Sequence, residues 1–116
     1  MIPSIELNNS VYQTLQGLNV DVYEYKPTNP SFPFVEIGAE IELDVDTKTD
    51  KRTTHDITIH AFTLEQTPYE IKKLSHDIKN KILKLNDVKG FQVDYVYLTN
   101  LLTLSEPNNS NNAIYH

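Results

Sequence analysis

Cysteine is absent from these 116 residues, and so is tryptophan. Without thiols the chain builds neither disulfides nor thiolate-held metal sites. Glycine occurs three times, at Gly17, Gly38 and Gly90. That spacing excludes a phosphate-cradling loop and a dinucleotide fingerprint, which need glycines close together. Positive charge is scarce too: 10 Lys and Arg stand against 16 Asp and Glu, a formal charge of −6. General affinity for a nucleic-acid backbone needs cations that displace counterions, so it is not expected. No apolar run approaches the ~20 residues that span a bilayer. The opening, MIPSIELNNSVYQ, lacks the basic and apolar regions of a signal peptide. The expectation is one domain over residues 1–116, made in the cytoplasm and without a membrane.

What is present is strong patterning. Residues 4–16 read as a short helix with a partial stripe of Ile5, Val11, Tyr12 and Leu15, with Ser4 as N-cap and Gly17 past its end. NVDVYEY (19–25) reads as a strand, with Val20 and Val22 on one face and Tyr23 and Tyr25 on the other. KPTNPSFPF follows, and its three prolines make it a turn or edge passage.

The clearest signal runs from Val35 to Asp46. Val35, Ile37, Ala39, Ile41, Leu43 and Val45 alternate with Glu36, Gly38, Glu40, Glu42, Asp44 and Asp46. A strict two-residue period predicts one buried face and one wet, acidic face. THDITIHAFT predicts a second strand, paired antiparallel, with Ile57, Ile59 and Ala61 inward and Thr58, His60 and Phe62 outward. TPYEIKKLSHDIKNKILKL predicts a long helix. Thr67, Pro68 and Glu70 look like an N-cap, a first-turn proline and a capping-box acid. Ile71, Leu74, Ile78, Ile82 and Leu85 form its stripe. GFQVDYVYLTNLL reads as a last strand, and SEPNNSNNAIYH as a loop. Together these predict an α+β fold: an antiparallel sheet of about four strands with two helices on one face.

The search for chemistry finds little. His55 and His60 are an odd number apart on one strand, so they point to opposite faces and cannot share an ion. DVDTKTD resembles the start of a calcium loop, but Thr49 and His55 stand where glycine and glutamate are needed. Ser75 and His76 are helix neighbours and do not face one another. No Gly-x-Ser-x-Gly elbow is present. The expectation is therefore no enzyme, no cofactor and no metal site, with the acids forming a solvated face; a weak divalent site made by the acidic cluster is the alternative. Lys72, Lys73, Lys79 and Lys84 lie off the apolar stripe. They read either as a solubilising surface or as a basic subunit-contact face that meets an acidic sheet face on another copy, head to tail.

The order of segments also carries a likeness. PFVEIG opens the long strand, a polar D-x-x-T-K connection follows, and THDITIHAFT leads into the helix, with NVDVYEYKP before and GFQVDYVYLTN after. The pattern resembles the tail-completion, or tail-terminator, proteins of long-tailed bacteriophages with non-contractile tails. The resemblance implies a structural virion protein at the head–tail junction. It implies an α+β subunit in a self-assembled ring, usually of six, that caps the tail tube and joins it to the head connector. Its partners would be itself, the tail tube protein and the connector, and DNA would pass without specific binding. Members of that family usually continue past a stretch like NAIYH into a final apolar strand, so this chain is expected either to be truncated there or to lack an edge strand.

Within that implied ring, Asp46, Thr47, Lys48, Thr49, Asp50, Lys51, Arg52 and Thr53 would be an arm that orders against a neighbour; the plain alternative is an exposed hairpin tip. Removing residues 47–52 should leave folding intact and impair joining. Glu36, Glu40, Glu42 and Asp44 would be the acidic lumen face, repelling DNA over a Debye length of about 8 Å. Two other functional classes stay open: a small acidic monomeric adaptor that binds a host factor or a head-completion partner, and a hydrolase with a carboxylate site.

Overall fold

The computed structural model describes residues 2–44, 52–93, 95–107 and 112–116. The fold is α+β, a five-stranded mixed sheet with two helices against one face. The elements run α1 (Pro3–Leu15), β1 (Asp21–Tyr23), β2 (Phe34–Asp44), β3 (Thr53–Glu65), α2 (Tyr69–Leu83), β4 (Asp87–Val88), β5 (Phe91–Gln92), β6 (Ser105–Pro107) and β7 (Ala113–Tyr115). The sheet order is β1-β2-β3-β7-β6, and β4 and β5 form a separate small ladder.

Both helices begin differently from the sequence reading. Pro3 occupies the first turn of α1 after an extended Ile2, where its missing N–H is no loss. Ser4 caps nothing; its hydroxyl donates to Glu40 Oε1 at 3.0 Å. In α2, Pro68 rather than Thr67 precedes the helix, and no side chain caps from there. Instead Glu65, at the end of β3, accepts the Glu70 N–H at 2.8 Å. A carboxylate from the preceding strand thus takes up one of the helix's orphan donors.

The helical stripes meet the sheet as their periodicity requires. Val11 and Leu15 of α1, Ile71, Leu74 and Ile78 of α2, Val22 of β1, Val35 and Ile37 of β2, and Ala61 of β3 form one buried cluster. Ile57, Ile59, Ile82 and Leu85 pack around it, partly buried. Each such side chain, fully buried, contributes about 1.5–3 kcal/mol.

One strand pair departs from the antiparallel expectation. β1 runs parallel to β2, pairing Asp21 with Phe34 and Tyr23 with Glu36. A parallel pair needs a crossover, and the proline-bearing stretch 24–33 supplies it without a helix. The C-terminal reading is corrected more strongly. Of the strand expected over 90–102, only Phe91–Gln92 is strand, paired with Asp87–Val88. Gly90 adopts φ 79° in the two-residue link Lys89–Gly90, a conformation that favours glycine. Residues 95–104 have no regular secondary structure. The stretch read as a loop holds β6 and β7 instead. β7 pairs with β3 through Thr63–Tyr115 and Glu65–Ala113, and β6 pairs with β7. Three-residue strands on either side of an asparagine-rich run are too short for their alternation to register.

The molecule is long and thin, 58 × 24 × 21 Å with a radius of gyration of 16.0 Å. A compact chain of this length would have about 13 Å.

Candidate functional site

The β2–β3 hairpin changes character halfway along. Val35 faces Ala61 and Ile37 faces Ile59, but the next pairs are Glu40–Ile57 and Glu42–His55. One extra residue lies in β2 between Ile37 and Glu40, a β-bulge. Because strand side chains alternate, one added residue exchanges the faces of everything beyond it. Gly38 sits at this point. A Cβ there would stand 2.9 Å from the His60 ring and 3.1 Å from the Thr58 carbonyl oxygen, so glycine is what lets the two strands lie this close.

The exchange overturns the single apolar face read from sequence. Val35 and Ile37 are buried, but Ile41 and Leu43 are 58% and 55% exposed on the opposite face; Val45 lies outside the described residues. It also divides the four acids expected to share one wall. Glu36 pairs with His60 on the outer face. Glu40 and Glu42 pair with Ile57 and His55 on the helix side, and Asp44, two residues on, shares their face.

Two polar clusters result, one on each face. On the helix side, Glu40 Oε2 lies 2.6 Å from His55 Nδ1, and Glu42 Oε1 lies 3.6 Å from His55 Nε2. Thr53 Oγ1 is 2.9 Å from the same Nε2. The His55 side chain is 9% exposed. One donor atom from each of Glu40, Glu42 and His55 lies within 4.8 Å of the others, close enough for a cation to be shared. Hydrogen bonds from Ser4 to Glu40 and among Glu40, His55 and Thr53 make the cluster a clasp between α1, β2 and β3.

On the outer face, His60 Nδ1 lies 2.8 Å from His116 Nε2. The rings of Tyr23, Phe34, Phe62 and His116 continue across the sheet, with Phe34–Phe62 centroids 4.7 Å apart and Phe62–His116 4.2 Å apart. Lys26 Nζ stands 5.9 Å from the Phe62 ring centre. Burial first, and then the charge of His60, holds the His116 imidazole below its ordinary pKa, while Glu36 pulls it the other way. His55 and His60 do point to opposite faces, as their spacing requires. They are not isolated, however: His55 meets Glu40 of the paired strand and His60 meets His116, 56 residues on, which spacing within one strand cannot reveal.

Of the proposed arm, residues 46–51 lie outside the described residues. Arg52 precedes β3, and Thr53 opens it opposite Asp44. Lys72, Lys73 and Lys84 are exposed and Lys79 half-buried; among the described residues none of the four is in an ion pair. No helix among the described residues is long and apolar enough to cross a membrane.

The sequence reading missed two features of the surface. The first is the segment 95–104, YVYLTNLLTL. Tyr95, Tyr97, Leu98, Leu101, Leu102 and Leu104 are 44–70% exposed. The second is an open strand edge. β7 lies on the side of β3 away from β2 and pairs only with Thr63–Glu65. Beyond it, from Thr53 to Ala61, that edge of β3 has no strand beside it among the described residues.

No protein-family model and no curated protein matches the chain. Among solved structures it is similar to a chain from the virion of a native gene transfer agent (GTA) particle. The match has a TM-score of 0.73 at 18% identity and covers 97% of this chain and 91% of that one. The two chains share a fold over nearly their whole length.

Proposed function

We propose that this chain is a structural virion protein, and more specifically a subunit of the tail-completion, or terminator, ring that caps a phage tail tube and joins it to the head connector. The observation that carries the reading is the fold shared, over 97% of the chain, with a component of a gene transfer agent virion. The ordered likeness of PFVEIG, the polar connection and THDITIHAFT to tail-completion proteins supports it. So does the surface: a thin 58 Å body with six large apolar side chains exposed in one stretch fits a part made to be covered.

In this reading the chain acts through shape and self-association and makes or breaks no covalent bond. The clasp of Glu40, Glu42 and His55 then serves to fix the hairpin beyond its bulge. The test is electron microscopy of particles made without this protein. Full heads separated from tails, or tails of irregular length, are the expected result. Normal joined, infectious particles would refute the role. A host-directed adaptor, one of the two other classes open from sequence, would leave particle morphology normal and change the outcome of infection instead.

A further inference from the structure

Strand edges in sheet proteins are usually blunted, because unpaired N–H and C=O groups are a template for another chain. Two edges here follow that rule. β1 is three residues long and leads into Pro27, and β6 is three residues long and ends in Pro107. The open edge of β3 does not. Its stretch TTHDITIHA contains no proline, glycine or lysine and is nine residues long. It is backed by β2 at every residue but Thr58, which lies opposite the bulge.

The same molecule presents a strand without a sheet. YVYLTNLLTL is uncharged and rich in aromatic, leucine and β-branched residues, a composition that fits strands. The rings of Tyr95 and Tyr97, two residues apart, stack with centroids 5.7 Å apart, as side chains on one face of an extended segment do. Leu104 exchanges both backbone hydrogen bonds with His116 at 2.9 Å, and no backbone bond joins 95–103 to a strand among the described residues. The alternation that predicted a strand here finds no neighbouring strand among the described residues.

We propose that residues 95–104 of one copy pair as a strand along the open edge of β3, Thr53 to Ala61, of a second copy. This rests on the reading of the chain as an assembling virion component and names its partner surface. Lengths match: ten residues of donor meet nine of acceptor, about 30 Å at ~3.3 Å per residue. Area matches as well. The exposed parts of Tyr95, Tyr97, Leu98, Leu101, Leu102 and Leu104 come to roughly 700 Å², near the ~800 Å² per partner of a stable interface. Backbone bonds would supply affinity and alternate side chains specificity, the usual division in strand addition. Donor and acceptor are different surfaces of one chain, so the contact is head to tail and propagates around a ring or along a filament.

The test uses the absence of native cysteine. Thr58→Cys is placed in one batch of protein, and Thr99→Cys or Asn100→Cys in another. The batches are mixed and oxidised, and the mass of the products is measured. A covalent dimer that needs both variants is expected. Replacing Leu98 and Leu101 by proline in the Thr99→Cys chain should abolish the dimer and weaken self-association of the uncrosslinked protein by about 10- to 100-fold. Circular dichroism and the thermal melt should stay unchanged, since that segment belongs to no element of the isolated fold. Three results overturn the proposal: no dimer from the mixture, association insensitive to the prolines, or a double variant (Thr58→Cys with Thr99→Cys) that links within one chain at high dilution. None of these bears on whether particles lacking the protein fail to join, so the virion reading stands or falls separately.

Discussion

The two halves of the β2–β3 hairpin belong to one continuous strand pair and have opposite surroundings. In the inner half, Phe34–Ile37 with Ile59–Phe62, one face meets both helices and the other carries stacked aromatic rings. In the outer half, beyond Gly38 and Ala39, apolar Ile41 and Leu43 face solvent while Glu40 and His55 sit on the helix side. A single inserted residue separates the two. The inner half is what a lone chain needs to fold. The outer half, with its bare apolar side chains and open edge, makes sense as a surface for something else.

The largest expected difference between the halves is in packing. Ile71→Ala, at a residue 1% exposed against the inner half, should cost about 2–5 kcal/mol in urea unfolding, as transfer and cavity terms add. Ile41→Ala should change stability by no more than about 0.5 kcal/mol. Equal costs would mean the outer half is packed after all. The junction comes next. Gly38→Ala should lose about 1–3 kcal/mol, because the new methyl group meets the His60 ring and a backbone oxygen that cannot move aside. A variant as stable as the parent would show that the bulge has room to spare.

The polar clasp is smaller. Glu40→Gln weakens the contact with buried His55 and should cost about 0.5–1.5 kcal/mol. Glu42→Gln, at 3.6 Å and 44% exposed, should cost close to nothing. The reverse order would place the working contact on the other glutamate. The smallest effect is one of pH. His116 has its pKa lowered by burial and by His60, so the unfolded chain takes up that proton first as pH falls. The stabilisation is complete above the ordinary imidazole value of 6.5 and declines as pH drops below it. The urea midpoint should therefore fall from pH 7.5 to pH 5.5 more in the parent than in His116→Asn; equal falls would remove His116 from the account.

Much of the inner half was legible in the sequence. The stripe of Ile71, Leu74 and Ile78 and the alternation of Val35 and Ile37 each report burial against one continuous surface, so periodicity reads them directly. The bulge was not legible, because the alternation continues unbroken through Gly38 and Ala39. Only pairing with β3, where one residue fewer spans the same length, reveals the change of face. That is why Glu36 and Glu40 looked like neighbours on one wall. The short strands β6 and β7 were hidden by asparagines and brevity. The segment 90–102 was read as a strand, and only Phe91–Gln92 is one; residues 95–102 find no strand partner among the described residues.

The central claim is that the open edge of β3 exists to be covered when copies assemble. Hydrogen exchange of the backbone amides from Thr53 to Ala61, measured in the free chain and again in assembled material, tests it most directly. The account predicts that the amides on the side away from β2 exchange quickly when free and are strongly protected on assembly, together with those of residues 95–104. Unchanged exchange along both stretches in fully assembled protein would contradict it.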